Sequence, residues 1–189
     1  MADLAGTHEL GPSCGRVLVR TGRQGLAARA GHDLVIEITA WSARVTVPAG
    51  GDLGAAALTA ELDLSSLAVR EGTGGAKPLS DRDRRDILNQ ARKILGPAAR
   101  ASFSSTRVAA AGSSGGGAIE GTLSLNGVTR PARLEVTSSA PGRYRGSTTI
   151  SQTSFGITPY SGFFGALKLR DELGVEFEVN IEGLPNGGG

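Results

Sequence analysis

Apolar and polar side chains alternate with a period of two over much of this chain. Leu58, Ala60, Leu62 and Leu64 interleave with Thr59, Glu61, Asp63 and Ser65. Ile119, Gly121, Leu123 and Leu125 interleave with Glu120, Thr122, Ser124 and Asn126, and Ala132, Leu134 and Val136 with Arg133, Glu135 and Thr137. Near the C-terminus, Val175, Phe177, Val179 and Ile181 do so with Glu176, Glu178, Asn180 and Glu182. Successive side chains of a strand point to opposite faces, so each run predicts an antiparallel strand with one dry face and one wet face. Further strands are expected at about 16–21, 33–47, 100–110 and 143–152. Within 33–47 the parity changes. Leu34, Ile36 and Ile38 share one face, whereas Trp41, Ala43, Val45 and Val47 share the other. A bulge or sharp bend near Thr39–Ala40 returns both sets to the same side. Asn126-Gly127, between two alternating runs, is a hairpin signal. Gly112–Gly117 reads as a turn, because it lacks the strand–helix setting and the Lys-Ser/Thr of a phosphate loop.

One segment changes period. Ile87, Leu88, Ala91, Ile94 and Leu95 recur at helical spacing, with Ser80 as N-cap, Asp83 as its capping-box partner, and Gly96-Pro97 as the stop. This predicts a single amphipathic helix over about 81–95. One helix cannot cover the apolar faces of about eight strands, so the sheet must close on itself. The expected fold is all-β: an eight-stranded antiparallel lipocalin-like barrel with that helix inserted, spanning 16–184 between tails at 1–15 and 185–189. On pattern alone a fully packed sandwich core and a barrel with a lumen both remain open.

Composition narrows the function classes. The chain has 189 residues, 29 of them Gly, with only 4% aromatics. Lining by small and medium side chains favours some empty volume. The formal net charge is +2 and the basic residues are spread along the chain, which gives no footprint for nucleic acid. Cys14 is the sole cysteine and precedes the first expected strand with no sign of an activating partner. No run approaches the ~20 apolar residues of a membrane span. Residues 1–13, with Asp3, His8 and Glu9, do not resemble a secretory signal, so cytoplasmic residence is expected.

Several motifs point together to one family. Gly31-His32-Asp33-Leu34 enters a long strand. Gly121-Thr122-Leu123-Ser124-Leu125-Asn126-Gly127-Val128-Thr129 forms a "G-x-L-x-(hydrophobic)-x-G-x-T" hairpin. The helix from Asp81 is followed by Ser102-Phe103-Ser104-Ser105, and Ser151-Gln152-Thr153-Ser154-Phe155-Gly156-Ile157 stands where an "R-x-(D/S)-F-G-I" motif is common, with Gln152 in place of Arg. Over about Arg16–Glu182 the chain resembles the YceI-like family, an extended lipocalin-type barrel that binds polyisoprenoid lipids. The resemblance implies an open lumen and an isoprenoid or other lipid as its ligand. Typical relatives are exported and carry a signal peptide; the lack of one here departs from them and leads to the expectation that the ligand is handled inside the cell and differs from theirs.

The expected lumen lining is Leu58, Leu62, Phe103, Leu123, Leu134, Val136, Phe177 and Val179. His32 is a candidate for contact with the ligand head at the barrel mouth, and equally a structural histidine tied to backbone or an acid. Phe155, Tyr160, Phe163 and Phe164 lie in a Gly-rich stretch that can serve as a lid over the cavity or as an ordinary loop plug. Arg82, Arg84, Arg85, Arg92 and Lys93 can attract an anionic lipid head or an acidic membrane surface, or simply solvate the outer helix face. Arg170-Asp171 reads as an exposed turn. No metal site, cofactor or catalytic residue is expected. Two other readings stay open: a solid barrel acting as a structural or partner-binding module in stress response, and a hydrolase or isomerase built on His32 with Asp33 or a nearby carboxylate. The sequence leaves a homodimer open.

Overall fold

The computed structural model describes residues 5–50, 52–111 and 116–182. The Gly-rich turn expected at 112–117 and the tail expected at 185–189 therefore lie partly or wholly outside the described residues. Among the described residues fourteen strands run in chain order: β1 Gly6–Leu10, β2 Gly15–Arg20, β3 Arg23–Gln24, β4 Asp33–Ile38, β5 Trp41–Val47, β6 Ala57–Asp63, β7 Leu67–Thr73, β8 Arg100–Ala111, β9 Gly116–Leu125, β10 Val128–Ala140, β11 Arg143–Ser151, β12 Ser161–Gly162, β13 Leu167–Leu169 and β14 Glu172–Asn180. The single α-helix among the described residues, α1, is Asp81–Leu95.

Eleven strands form one antiparallel sheet in the order β1-β5-β6-β8-β9-β10-β11-β14-β2-β4-β7. Eight were expected; the division of one segment into β4 and β5, the continuation of β6 into β7, and the unexpected β1 make up the difference. β4 and β5 are two halves of one segment, parted at Thr39–Ala40 where the parity changes. β4 pairs with β2 and β7, while β5 pairs with β1 and β6. β6 and β7 are parted in the same way by a short 3-10 turn at Leu64–Ser66, and Ser66 ties the two bends together by accepting from Thr39 N at 3.2 Å. The covalent β4–β5 bend therefore joins the two ends of the hydrogen-bonded order. The ring β2, β4/β5, β6, β8, β9, β10, β11, β14 returns to its start through eight positions, which is the barrel the alternation implies. Residues 6–10, expected within a tail, instead form β1, where His8 lies opposite Val45.

The β9–β10 hairpin turns at Asn126 (φ 53°) and Gly127 (φ 76°), the left-handed pair that a two-residue hairpin requires. α1 is closed by a full capping box. Ser80 Oγ accepts from Asp83 N at 3.2 Å and Asp83 Oδ2 accepts from Ser80 N at 2.9 Å. The helix leaves the end of β7 and returns to the start of β8, so it lies at one end of the barrel. Arg84 Nη1 fixes it there by donating to the Val69 and Arg70 carbonyls at 2.8 and 3.0 Å. Ile87 and Leu88 pack against a cluster of Leu34, Ile36 and Val69, and Ile94 and Leu95 against a second cluster around Phe103, Leu123 and Phe155. At the same end β3, β13 and β12 make a small second sheet. No described helix is long and apolar enough to cross a membrane.

Candidate functional site

The barrel encloses a cavity of about 1050 Å³. That volume is at the upper end for small-molecule sites. Its wall is the inward face of the alternating strands. β6 contributes Leu58 and Leu62, and β8 and β9 contribute Phe103 and Leu123. Leu134 and Val136 come from β10, and Phe177 and Val179 from β14. Side chains that point into a packed core lose nearly all solvent contact. Here Leu58, Leu62, Leu134, Val136, Phe177 and Val179 point inward yet are only half-buried, and among the described residues no large side chain is completely buried. The interior is therefore a lined void and not a filled sandwich core.

Two glycines make room for the lumen aromatics. A Cβ on Gly121 would collide with the Ser104 carbonyl and with Phe103 Cζ, and one on Gly146 would collide with the Phe177 ring. Each ring thus reaches over the glycine of the neighbouring strand, into space that a side chain there would need.

Polar groups mark both ends of the wall. At the end away from α1 are His8, Ser138 and Tyr144. Burial pushes the Tyr144 phenol above its ordinary pKa. At the helix end are Arg23, His32, Lys77 and Asp83, with Gln152 beneath them. His32 faces the cavity, and its ring Nε2 is 2.8 Å from the Lys77 carbonyl, the backbone tie that a structural histidine makes. Asp33 does not orient it. Asp33 Oδ1 accepts from Arg23 N at 2.8 Å, and its other oxygen is 3.7 Å from Arg23 Nη1. Among the described residues no carboxylate hydrogen-bonds His32, so the pairing needed for His32–Asp33 catalysis is not formed.

The Gly-rich aromatic stretch divides. Phe163 lines the cavity, as do Tyr160, Ile157 and Leu167, but Phe155 and Phe164 do not. Phe155 is buried beneath the wall, against Ala101, Phe103, Leu123 and Leu125. Phe164 stands fully in solvent. The cause is local. Residues 153–155 form a 3-10 turn ending at Gly156 (φ 72°), which turns Phe155 inward. Phe163 and Phe164 both adopt left-handed backbone, which sends Phe164 outward. Asp171 is more than an exposed turn residue. Its carboxylate accepts from Ser151 Oγ at 2.6 Å, Thr153 N at 2.8 Å and Thr153 Oγ1 at 2.9 Å, and so clamps the 151–157 turn that carries Phe155 and Ile157. The buried Gln152 completes that clamp by donating to the Arg170 carbonyl at 2.9 Å. Cys14 sits in the β1–β2 turn, its thiol bonded to Gly11.

Sequence reasoning missed His8, which is buried on the cavity wall. The short Thr7–Leu10 alternation could have found it, but residues 1–15 carry too few apolar positions to stand out from a tail. It also missed the helix as wall: Ile87, Ala91 and Ile94 face the cavity. Their helical spacing was the signal.

Comparison with known proteins agrees with this architecture. Among curated proteins no sequence relative is found. Among solved structures, Burkholderia cenocepacia BcnA superposes with a TM-score of 0.62 at 16% identity, covering 87% of this chain and 94% of that one. A Campylobacter jejuni YceI protein is 15% identical over 77% of this chain and 83% of its own, with a TM-score of 0.48. The model of the YceI-like domain matches residues 23–181. The chain belongs to the YceI-like family.

Proposed function

We propose that this protein binds an apolar small molecule, an isoprenoid or other lipid, in the barrel cavity and carries it. The observation that carries this reading is the cavity of about 1050 Å³ whose wall is built from half-buried aliphatic and aromatic side chains. A void of that size with an apolar lining is costly to leave to water. Burying apolar ligand surface yields roughly 25 cal/mol per Å² before ordering costs are subtracted. The aliphatic wall gives no directional contacts along its length, which suits a hydrocarbon chain. The polar side chains at the two ends suit a head group, and the neutral Tyr144 phenol and the backbone-tied His32 ring are candidates to orient it. Membership in the YceI-like family supports the same ligand class.

The test is native mass spectrometry of protein purified gently from cells, followed by organic extraction and lipid analysis. A bound apolar species of defined mass, released by extraction, is the expected result. Protein that carries no such species, and takes up none from added isoprenoid or fatty lipids, rules the reading out.

A further inference from the structure

We infer that the tip formed by Leu26, Phe163 and Phe164 inserts into an anionic lipid bilayer, placing one end of the cavity at the membrane surface. The inference rests on the lipid-binding reading for its purpose, but its physical basis is separate.

These three side chains are 101%, 62% and 113% exposed, the most exposed large apolar residues among those described. They come from two distant segments that the fold brings together. β3 pairs with β13 at Gln24 and Lys168, and Ala27 N donates to the Ala166 carbonyl at 2.9 Å, so Leu26 lies beside the 163–166 turn. The patch is thus built by tertiary pairing and is not the accident of one loop.

The backbone under it is unusual. Phe163 (φ 50°), Phe164 (φ 53°) and Gly165 (φ 89°) are consecutive left-handed residues, closed by Ala166 N donating to the Phe163 carbonyl at 3.1 Å. Bulky side chains strongly disfavour this conformation. Strain of this kind persists where it serves a site. Phe164 gains no packing inside the protein that would offset it, so the compensating contact lies outside.

The surroundings select the partner. Arg29 and Lys168 are exposed beside the tip, and among the described residues neither forms an ion pair. The nearest acid in sequence, Asp171, is engaged by Ser151 and Thr153. Apolar side chains flanked by cations match the interfacial zone of an anionic bilayer. A stable protein interface needs roughly 800 Å² of matched surface per partner, which three jutting side chains do not offer. Phe163 is both exposed at the tip and part of the cavity wall. Insertion at this point lets a lipid pass between bilayer and lumen along apolar surface.

The test is flotation of the whole chain with vesicles of phosphatidylcholine alone and of phosphatidylcholine mixed with phosphatidylglycerol. Wild-type protein is expected to float with the mixed vesicles and much less with the neutral ones. The double variant Leu26→Ser, Phe164→Asn should partition about tenfold less, and Arg29→Glu, Lys168→Glu should lose the preference for anionic vesicles. Both should melt no lower than wild type, since Asn tolerates left-handed backbone and none of these side chains is buried. Uptake of a soluble apolar dye by the cavity should be unchanged in the double variant, which separates docking from binding. Failure of wild-type dye uptake counts against the lipid-binding reading, while flotation is scored independently. Docking is overturned if wild type stays unbound to both vesicles or if the double variant floats as well as wild type. Self-association that is abolished in the double variant, with no flotation, would make the tip a protein interface and also overturn it.

Discussion

At the scale of single residues, inward-pointing side chains fall into two energetic classes. Phe155 is buried in a packed cluster, whereas Phe177 points inward but faces a void. Removing a packed Phe costs about 3–5 kcal/mol, because both transfer energy and a new cavity are charged against the fold. Phe177→Ala enlarges a cavity that already exists and should cost only about 1–2 kcal/mol. Phe155→Ala should cost the full amount, and paired urea titrations of the two variants measure the difference. A solid barrel would give equal losses. Carboxylates supply a second test at this scale. Asp63, Asp83 and Asp171 are each held below the ordinary carboxylate pKa, chiefly by side-chain hydroxyls of Ser65, Ser80 and Ser151, with backbone N–H donors adding to this. Their folded pKa values lie below the unfolded value of about 4, so the stability they contribute is full above that value and is lost as pH falls through the folded values. The melting temperature should be flat from neutral pH down to about 5 and then fall. The fall should be shallower in Asp171→Asn, which should start from a lower neutral-pH value because the 151–157 clamp is weakened.

At the scale of elements, α1 is the piece whose removal should matter most to the cavity, because its apolar face forms part of the wall and none of its residues is fully buried. Its capping box holds the first turn at the end of the barrel. Ser80→Ala should lower stability by about 1 kcal/mol, or about 2–4 °C in melting temperature for a chain of this size. Differential scanning calorimetry resolves that shift, and Ser80→Asp should restore most of it. The helix bounds were legible in the sequence because Ser80, Asp83 and Gly96 each state a local rule. The β4–β5 bend was legible because parity cannot change along a strand without a break. The hairpin at Asn126–Gly127 was legible because few other residues accept two consecutive left-handed conformations. What was not legible lacked such local signals. β7 offers only Leu67 and Val69 as alternating apolar residues and takes its place from pairing with β4. β3, β12 and β13 are two or three residues long and exist only because tertiary pairing brings residues 23–24 against 168–169. The lining strands were readable from alternation, but the fates of Phe155 and Phe164 were not. Each depends on the φ values of a turn, and hydrophobicity does not report them.

At the scale of the whole molecule, the central property is that eight ring positions enclose more volume than this sequence fills. Aromatics are few, Gly121 and Gly146 make room for the Phe103 and Phe177 rings over the neighbouring strands, and among the described residues no large side chain is completely buried. In an ordinary packed core, inserting a larger side chain forces neighbours off their rotamers at a cost of about 1–3 kcal/mol. A barrel with a void should behave otherwise. Leu134→Trp and Val136→Trp place indole rings on β10, facing the cavity from half-buried positions. Each should be absorbed by empty space, leaving far-UV circular dichroism unchanged and the melting temperature within a few degrees of wild type. The same rings occupy volume that the ligand needs. Affinity for an apolar fluorescent probe should therefore fall at least about tenfold, equivalent to about 1.4 kcal/mol. Stability and binding would then move independently, as they do when the interior is a site. A protein whose interior served only to hold the fold together would show the reverse: a marked loss of stability with any probe binding untouched.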